Sequence, residues 1–205
     1  STFIPMNIDK WLSYLLDYPH GCTEQTISGA FPILYINELA ETNEKVKSRA
    51  DSKIKFALSK IQSQQLSSGG ISMWPGSQYT DDWVTSYAGH FALEAKEKSY
   101  SVSNQFINKW KNFQKNKVRS WKNNKTVYNN DINQAYRLYT LALAKDPEIG
   151  AMNRLSEDKF LSNQARIILA SAYAIIGRNE ISKRLINNTN PKLDNKFDYS
   201  ISYGS

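Results

Sequence analysis

Cys22 and Gln25 stand three residues apart in Tyr18-Pro19-His20-Gly21-Cys22-Thr23-Glu24-Gln25-Thr26, and Cys22 is the single cysteine of the chain. At that spacing a thiol and a carboxamide can meet. Pro19 and Gly21 read as a tight turn and Thr23 to Ala40 as a helix, so Cys22 falls at or just before a helix N-terminus. Unpaired backbone N–H groups and the positive end of the helix dipole lie there, and both favour a negatively charged sulfur. A thiolate held against the Gln25 carbonyl can displace ammonia and leave a thioester between the two side chains, a stored acyl group in place of a resting thiol. A lone cysteine in an ordinary helix reads as a small buried hydrophobe. Here the turn, the helix start and Gln25 together favour the reactive pair.

The elements that must hold this turn are helical. Apolar residues recur at helical spacing from Asn7 to Leu16, along Thr23–Ala40 (Ile27, Ala30, Phe31, Leu34, Tyr35, Leu39), and along Asn43–Gln65 (Val46, Ala50, Ile54, Ala57, Leu58, Ile61). Ser67 to Gln78 breaks the pattern as a glycine-rich connector whose Trp74 is expected to pack back on the helix ends. Asp81 or Asp82 then caps a helix to about Lys98, and a further helix spans Ser103–Trp121. Lys122–Asp131 reads as irregular and Ile132–Lys145 as helical. Asp146-Pro147 opens a short helix ending near Glu157. Phe160–Gly177 closes on a glycine C-cap, with Glu180–Asn187 paired to it. Residues 1–188 are expected to form helical hairpins and 189–205 an irregular tail. The helices beginning near Ser86, Ala135 and Ala165 resemble one another at unequal offsets, which fits hairpins with variable connections better than a fixed-period array.

A chain of 205 residues with 40% hydrophobic content can bury one substantial core, and 6 Pro with 9 Gly suit packed helices. The +7 formal charge is spread along the chain, as in Lys45–Arg49 and Lys109–Lys111, and reads as solvated helix faces with no nucleic-acid partner. No apolar run is long enough to span a bilayer, and residues 1–5 carry no signal-peptide pattern, so no direct membrane insertion is expected. One cysteine leaves no internal disulfide framework and is silent about redox compartment. With two histidines, no zinc-ligand spacing appears, Asp81-Asp82 reads as a helix cap, and neither a metal nor another cofactor is expected. A Cys/His hydrolase or transferase remains an alternative, with Cys22 as nucleophile and His20 or His90 as base, although it leaves Gln25 unused. A purely structural interaction module is the other.

Gly21-Cys22-Thr23-Glu24-Gln25 resembles the thioester motif of the alpha-2-macroglobulin and complement family, whose common animal form is Gly-Cys-Gly-Glu-Gln. The similarity to the bacterial branch continues through Tyr18–Gly21, Ala30-Phe31-Pro32, Leu34-Tyr35, Gly69–Gly76 and Gln134–Ala144, so nearly the whole chain is covered. Thr23 replaces the motif glycine and is expected to affect turn geometry more than the reacting atoms. The resemblance implies an all-α fold, an α/α toroid of inner and outer helices, here incomplete: a thioester-domain fragment, with Tyr203-Gly204-Ser205 similar to the start of a further hairpin. That toroid also houses terpene cyclases and prenyltransferases, whose aspartate-rich and zinc-ligating sets are absent.

The resemblance further implies an endopeptidase inhibitor acting in defence, a single-turnover covalent trap and not an enzyme. Its partners would be proteases and the other domains of a periplasmic, lipid-anchored parent. It carries Glu24 over within the motif. From the loop before Ile132–Lys145 it points to Tyr128 and Asn129 as tuners of acyl transfer where complement relatives have histidine, which favours attack by amines over hydroxyls. Trp11, Tyr14 or Tyr18 is expected to shield the acyl bond from water.

Overall fold

The computed structural model describes residues 21–35, 44–124 and 130–189. Within them run α1 (Thr23–Ala30), a 3-10 turn (Pro32–Tyr35), α2 (Glu44–Ser63), α3 (Asp82–Glu97), α4 (Asn104–Ser120), α5 (Asn130–Leu143), α6 (Ile149–Ser156), α7 (Asn163–Ile175) and α8 (Asn179–Asn187). Among the described residues the extended pairing is confined to an isolated bridge between Gln65 and Ile71. The helix expected over Asn7–Leu16, and the tail beyond Thr189, lie outside the described residues.

Neighbours in space follow a two-ring order. α1 packs on α3, α3 on α5 and α5 on α7, while α2, α4 and α8 pack on α1, α5 and α7 respectively. This is the alternation of inner and outer helices of an α/α toroid. The three helices whose sequences resemble one another, α3, α5 and α7, are all inner. An inner helix has neighbours on both flanks as well as behind it, so small residues such as Ala88, Ala92, Ala135, Ala142, Ala170 and Ala172 are buried there and let the helices approach.

The ends of the helices follow from local chemistry. Side-chain oxygens of Asp81, Ser103 and Ser162 accept from the N–H groups of Val84, Phe106 and Ala165 at the starts of α3, α4 and α7, a contribution of about 1 kcal/mol each. Of the two candidate aspartates, Asp81 is therefore the cap of α3. Past the end of α7, Gly177 takes φ 76°, the left-handed conformation that closes a helix, and Arg178 N–H returns to Tyr173 O at 2.9 Å. The helix expected from Thr23 to Ala40 stops early. Pro32 has no N–H to give the Ser28 carbonyl and its ring crowds that carbonyl, so α1 ends at Ala30 and the 3-10 turn buries Ile33 and Leu34 instead.

Two apolar clusters form the core. Ile27, Ile54, Ile61, Ile71, Val84 and Phe91 belong to one; Leu138, Leu141, Met152, Leu155, Leu169 and Tyr173 belong to the other. The two meet through α3, α4 and α5. Trp110 of α4 is fully buried and its indole N–H donates to Thr85 O at 2.8 Å. The ring lies directly over Gly89, where a Cβ would collide with the indole, so the absence of a side chain at Gly89 sets the α3–α4 spacing. Trp74 does not pack back on the helix ends as expected: it is 58% exposed. Ile71, fully buried, holds the loop, with its N–H on Thr85 Oγ1 at 2.9 Å and its carbonyl accepting from Asp81 N–H at 2.9 Å.

Candidate functional site: the Cys22–Gln25 turn

Cys22 is the N-cap residue of α1, with extended backbone (φ −65°, ψ 174°), and is buried. The Gln25 carboxamide folds back over the same turn, and Gln25 Oε1 accepts from Cys22 N–H at 3.1 Å, while the Cys22 side chain faces the Gln25 N–H as the other half of a capping box. The nucleophile and the acyl group expected from the sequence are thus brought onto one helical turn. Gly21 makes this possible, because a Cβ there would overlap Gln25 Oε1. Gln25 itself is exposed, whereas Cys22 is covered.

Contacts from two other segments fasten the turn. Thr23, fully buried, donates its backbone N–H to Met73 O at 2.9 Å, and its hydroxyl lies 2.9 Å from both Ser72 O and Met73 O. Ser72 is in turn bonded to Gln64 through its N–H (3.1 Å) and hydroxyl (2.9 Å). The 67–78 connector therefore anchors the N-terminus of α1, and Thr23, in place of the animal glycine, is the residue it grips. From α2, Lys60 Nζ donates to Gly21 O at 2.6 Å and to Thr26 Oγ1 at 2.9 Å.

Glu24 points the other way, into a groove of about 660 Å³ walled by Phe31, Trp83, Tyr87, His90, Tyr136 and Tyr139 among others from the four inner helices. Its carboxylate accepts from Trp83 Nε1 at 3.0 Å, tying α1 to α3. His90 lies deeper in this wall. Burial pushes its imidazole below the ordinary value and Glu94 opposes that only in part. Desolvation holds Tyr136 far above the usual phenol range, and its hydroxyl shares a 2.9 Å hydrogen bond with His90 Nδ1, while Nε2 lies 3.6 Å from Glu94 Oε1. His90 thus meets Tyr136 and Glu94 in the groove wall, a groove lined by Glu24 and not by Cys22. His20, Tyr128, Asn129, Trp11, Tyr14 and Tyr18 lie outside the described residues. Among the described residues no cluster of three His, Cys, Asp or Glu can hold a metal, and no helix is long and apolar enough to cross a membrane.

A pH dependence follows. The unfolded chain binds a proton on His90 near its ordinary pKa and the folded chain binds it only at lower pH, so the neutral ring contributes stability above that value that is lost as pH falls. The thermal midpoint of the wild-type chain should fall further between about pH 7.5 and about pH 5.5 than that of His90→Phe. Equal falls would place the acid sensitivity in other groups.

Comparison with known proteins bears on family and fold. A family profile described as the A-macroglobulin TED domain matches residues 2–142. The alpha-2-macroglobulin of Escherichia coli K12 is 34% identical over 109 residues, covering 51% of this chain and 7% of that protein. The chain thus spans a small part of its relatives' length. Among solved structures, a Salmonella alpha-2-macroglobulin reacted with methylamine superposes with a TM-score of 0.78 at 25% identity, covering 98% of this chain and 14% of that one. A native E. coli alpha-2-macroglobulin running from domain MG7 to the C-terminus gives 0.72 at 26% identity, covering 89% of this chain and 30% of that one. A profile match over most of the chain, on helices that alternate between two rings and carry Cys22 and Gln25 on one turn, places this chain in the A-macroglobulin TED domain family.

Proposed function

We propose that this chain is the thioester-bearing domain of a bacterial protease trap, in which the Gln25 acyl group is held on Cys22 and passed to an amine of an attacking protease. The observation that carries the reading is the Gln25 carbonyl folded onto the Cys22 N–H, 3.1 Å away, at the start of α1. Sγ adds to Gln25 Cδ, and nitrogen leaves as ammonia with the thiol proton, forming the thioester. A lysine amine of the protease later adds to the same carbon. Sγ then departs, takes up the proton the amine releases, and an amide bond joins the two proteins. The event occurs once per molecule, so the domain inhibits without turning over. Related proteins support the reading: one alpha-2-macroglobulin is described as reacted with methylamine, an amine, and another as activated by trypsin. In the same proposal the parent protein is periplasmic and lipid-anchored, which membrane fractionation of its natural host checks. Glu24 serves as the tie from α1 to α3, and Tyr128 and Asn129 are expected to tune the acceptor.

A thioester survives only where water is kept from its carbonyl, and Gln25 is exposed. The isolated 205-residue chain should therefore carry Cys22 as a free thiol, slow to titrate because it is buried. Titration with a thiol reagent, and the mass of the peptide holding Cys22 and Gln25, test this. A thiol-silent chain lighter than its sequence by one ammonia, releasing thiol on addition of methylamine, would show that these helices alone are shield enough.

A further inference from the structure

The Gly21–Cys22 peptide is gripped at both edges. Its N–H donates to Gln25 Oε1 at 3.1 Å, and its carbonyl accepts from Lys60 Nζ at 2.6 Å. The peptide is trans, so N–H and C=O point to opposite sides. The Lys60 amine therefore sits across the amide from the Gln25 carbonyl and is not placed to attack it. Lys60 also donates to Thr26 Oγ1 at 2.9 Å, and Thr26 Oγ1 donates to Cys22 O at 3.0 Å, so a second path links the same amine to the same turn.

We infer that Cys22 N–H is the oxyanion donor for the acyl carbon of Gln25, and that Lys60 is a positioning residue that fixes and strengthens this donor through the Gly21 carbonyl. The inference rests on the thioester reading above. When Sγ adds to Gln25 Cδ, the carbonyl electron pair moves onto Oε1, and when an amine adds to the thioester, charge gathers on the same oxygen. In both steps that oxygen lies against Cys22 N–H. A donor aimed at developing charge speeds acyl transfer by about 100-fold or more in mutational series. A cation bonded to the amide oxygen draws density from the amide nitrogen, and hydrogen bonds chained through one group reinforce one another. The macrodipole also favours a lysine in the last turn of α2, but that alone does not require the amine to cross to α1 and meet Gly21 O.

The test uses the full-length protein with Lys60→Met and Lys60→Arg. Methylamine-driven thiol release is followed, together with the mass deficit of one ammonia and the infrared stretch of the thioester carbonyl. Lys60→Met should release thiol roughly tenfold more slowly and raise the carbonyl stretch, as a weakened hydrogen bond to that oxygen requires; Lys60→Arg should recover most of both. A wild-type rate and an unshifted band in Lys60→Met overturn the inference while leaving the thioester intact. Lys60→Arg failing as badly as Lys60→Met overturns it as well, since the charge would then not matter. Wild-type protein with neither mass deficit nor methylamine-released thiol removes the thioester reading itself.

Discussion

Cys22→Ala and Gln25→Ala, each made in the full-length protein, should abolish covalent attachment of protease while leaving helical content near that of wild type. The two halves of this expectation have different causes. Loss of capture is complete because one residue supplies the leaving sulfur and the other the acyl carbon, and neither alanine can supply either. Retention of the fold follows from small energies: Gln25 is exposed and contributes one backbone contact at the turn, worth about 0.5–1.5 kcal/mol. At the N-cap, replacement by alanine costs about 0.5–2 kcal/mol, while Thr23 remains pinned to Ser72 and Met73. Cys22→Ser separates the cap from the chemistry. Its hydroxyl caps a helix at least as well as a thiol, so stability should hold or rise, yet covalent capture should still disappear. The measurement is the fraction of protease that stays attached to the protein after denaturation. Undiminished conjugates in Cys22→Ala or Gln25→Ala would move the chemistry to another residue pair.

How far the sequence could be read depended on the range of the interaction. The Cys22–Gln25 pair was visible because it lies within one helical turn. Lys60, Ser72 and Met73 were not, because they approach the turn from two other segments, and Ser72 and Met73 do so through backbone carbonyls that any residue carries. Helix existence followed from apolar spacing, and the start of α3 at Asp81 followed from capping chemistry, whereas α7, expected from Phe160, begins only after its cap at Ser162. The overlong α1 shows a local rule overruled by a stronger one, since Ile33 and Leu34 continue the apolar spacing while Pro32 forbids the helix. Trp74 was misplaced because apolar size says nothing about direction in a loop. The groove of Trp83, Tyr87, His90, Tyr136 and Tyr139 was hidden for a related reason. Periodicity marks the inward face of each helix, but not whether that face meets a packed core or the middle of a ring.

Arg137→Ala should destabilise the chain by about 3–5 kcal/mol, the cost of breaking a buried charged network at one member. The residue is 2% exposed, on α5, between α3 and α4. Burial lowers the pKa of its guanidinium, and Asp82 opposes the shift. Nε donates to Gln114 Oε1 at 3.0 Å, Nη1 to Gln134 Oε1 at 3.1 Å, and Nη2 lies 3.0 Å from Asp82 Oδ2. Gln114 Nε2 donates onward to Ser86 Oγ at 2.9 Å and Gln134 Nε2 to Val118 O at 3.3 Å. Both glutamines are buried. Alanine would leave two carboxamide oxygens without donors, at about 1–3 kcal/mol each, and the space of a guanidinium beside them. Asp82 suffers less, being partly exposed and retaining Lys117 at 3.4 Å. The apolar pattern could not single out Arg137, because a buried arginine and a solvated one occupy the same helical positions in a sequence. The decisive comparison sets Arg137→Ala beside the triple replacement Arg137→Met with Gln114→Leu and Gln134→Leu. If stranded polar atoms cause the loss, the triple variant should recover much of it, since exchanging a whole buried network for apolar side chains of similar volume is often near neutral. Denaturant midpoints measure both. A single variant within about 1 kcal/mol of wild type would show that water reaches these glutamines. A triple variant as unstable as Arg137→Ala would show instead that the Arg137–Asp82 contact between α5 and α3 carries the stability.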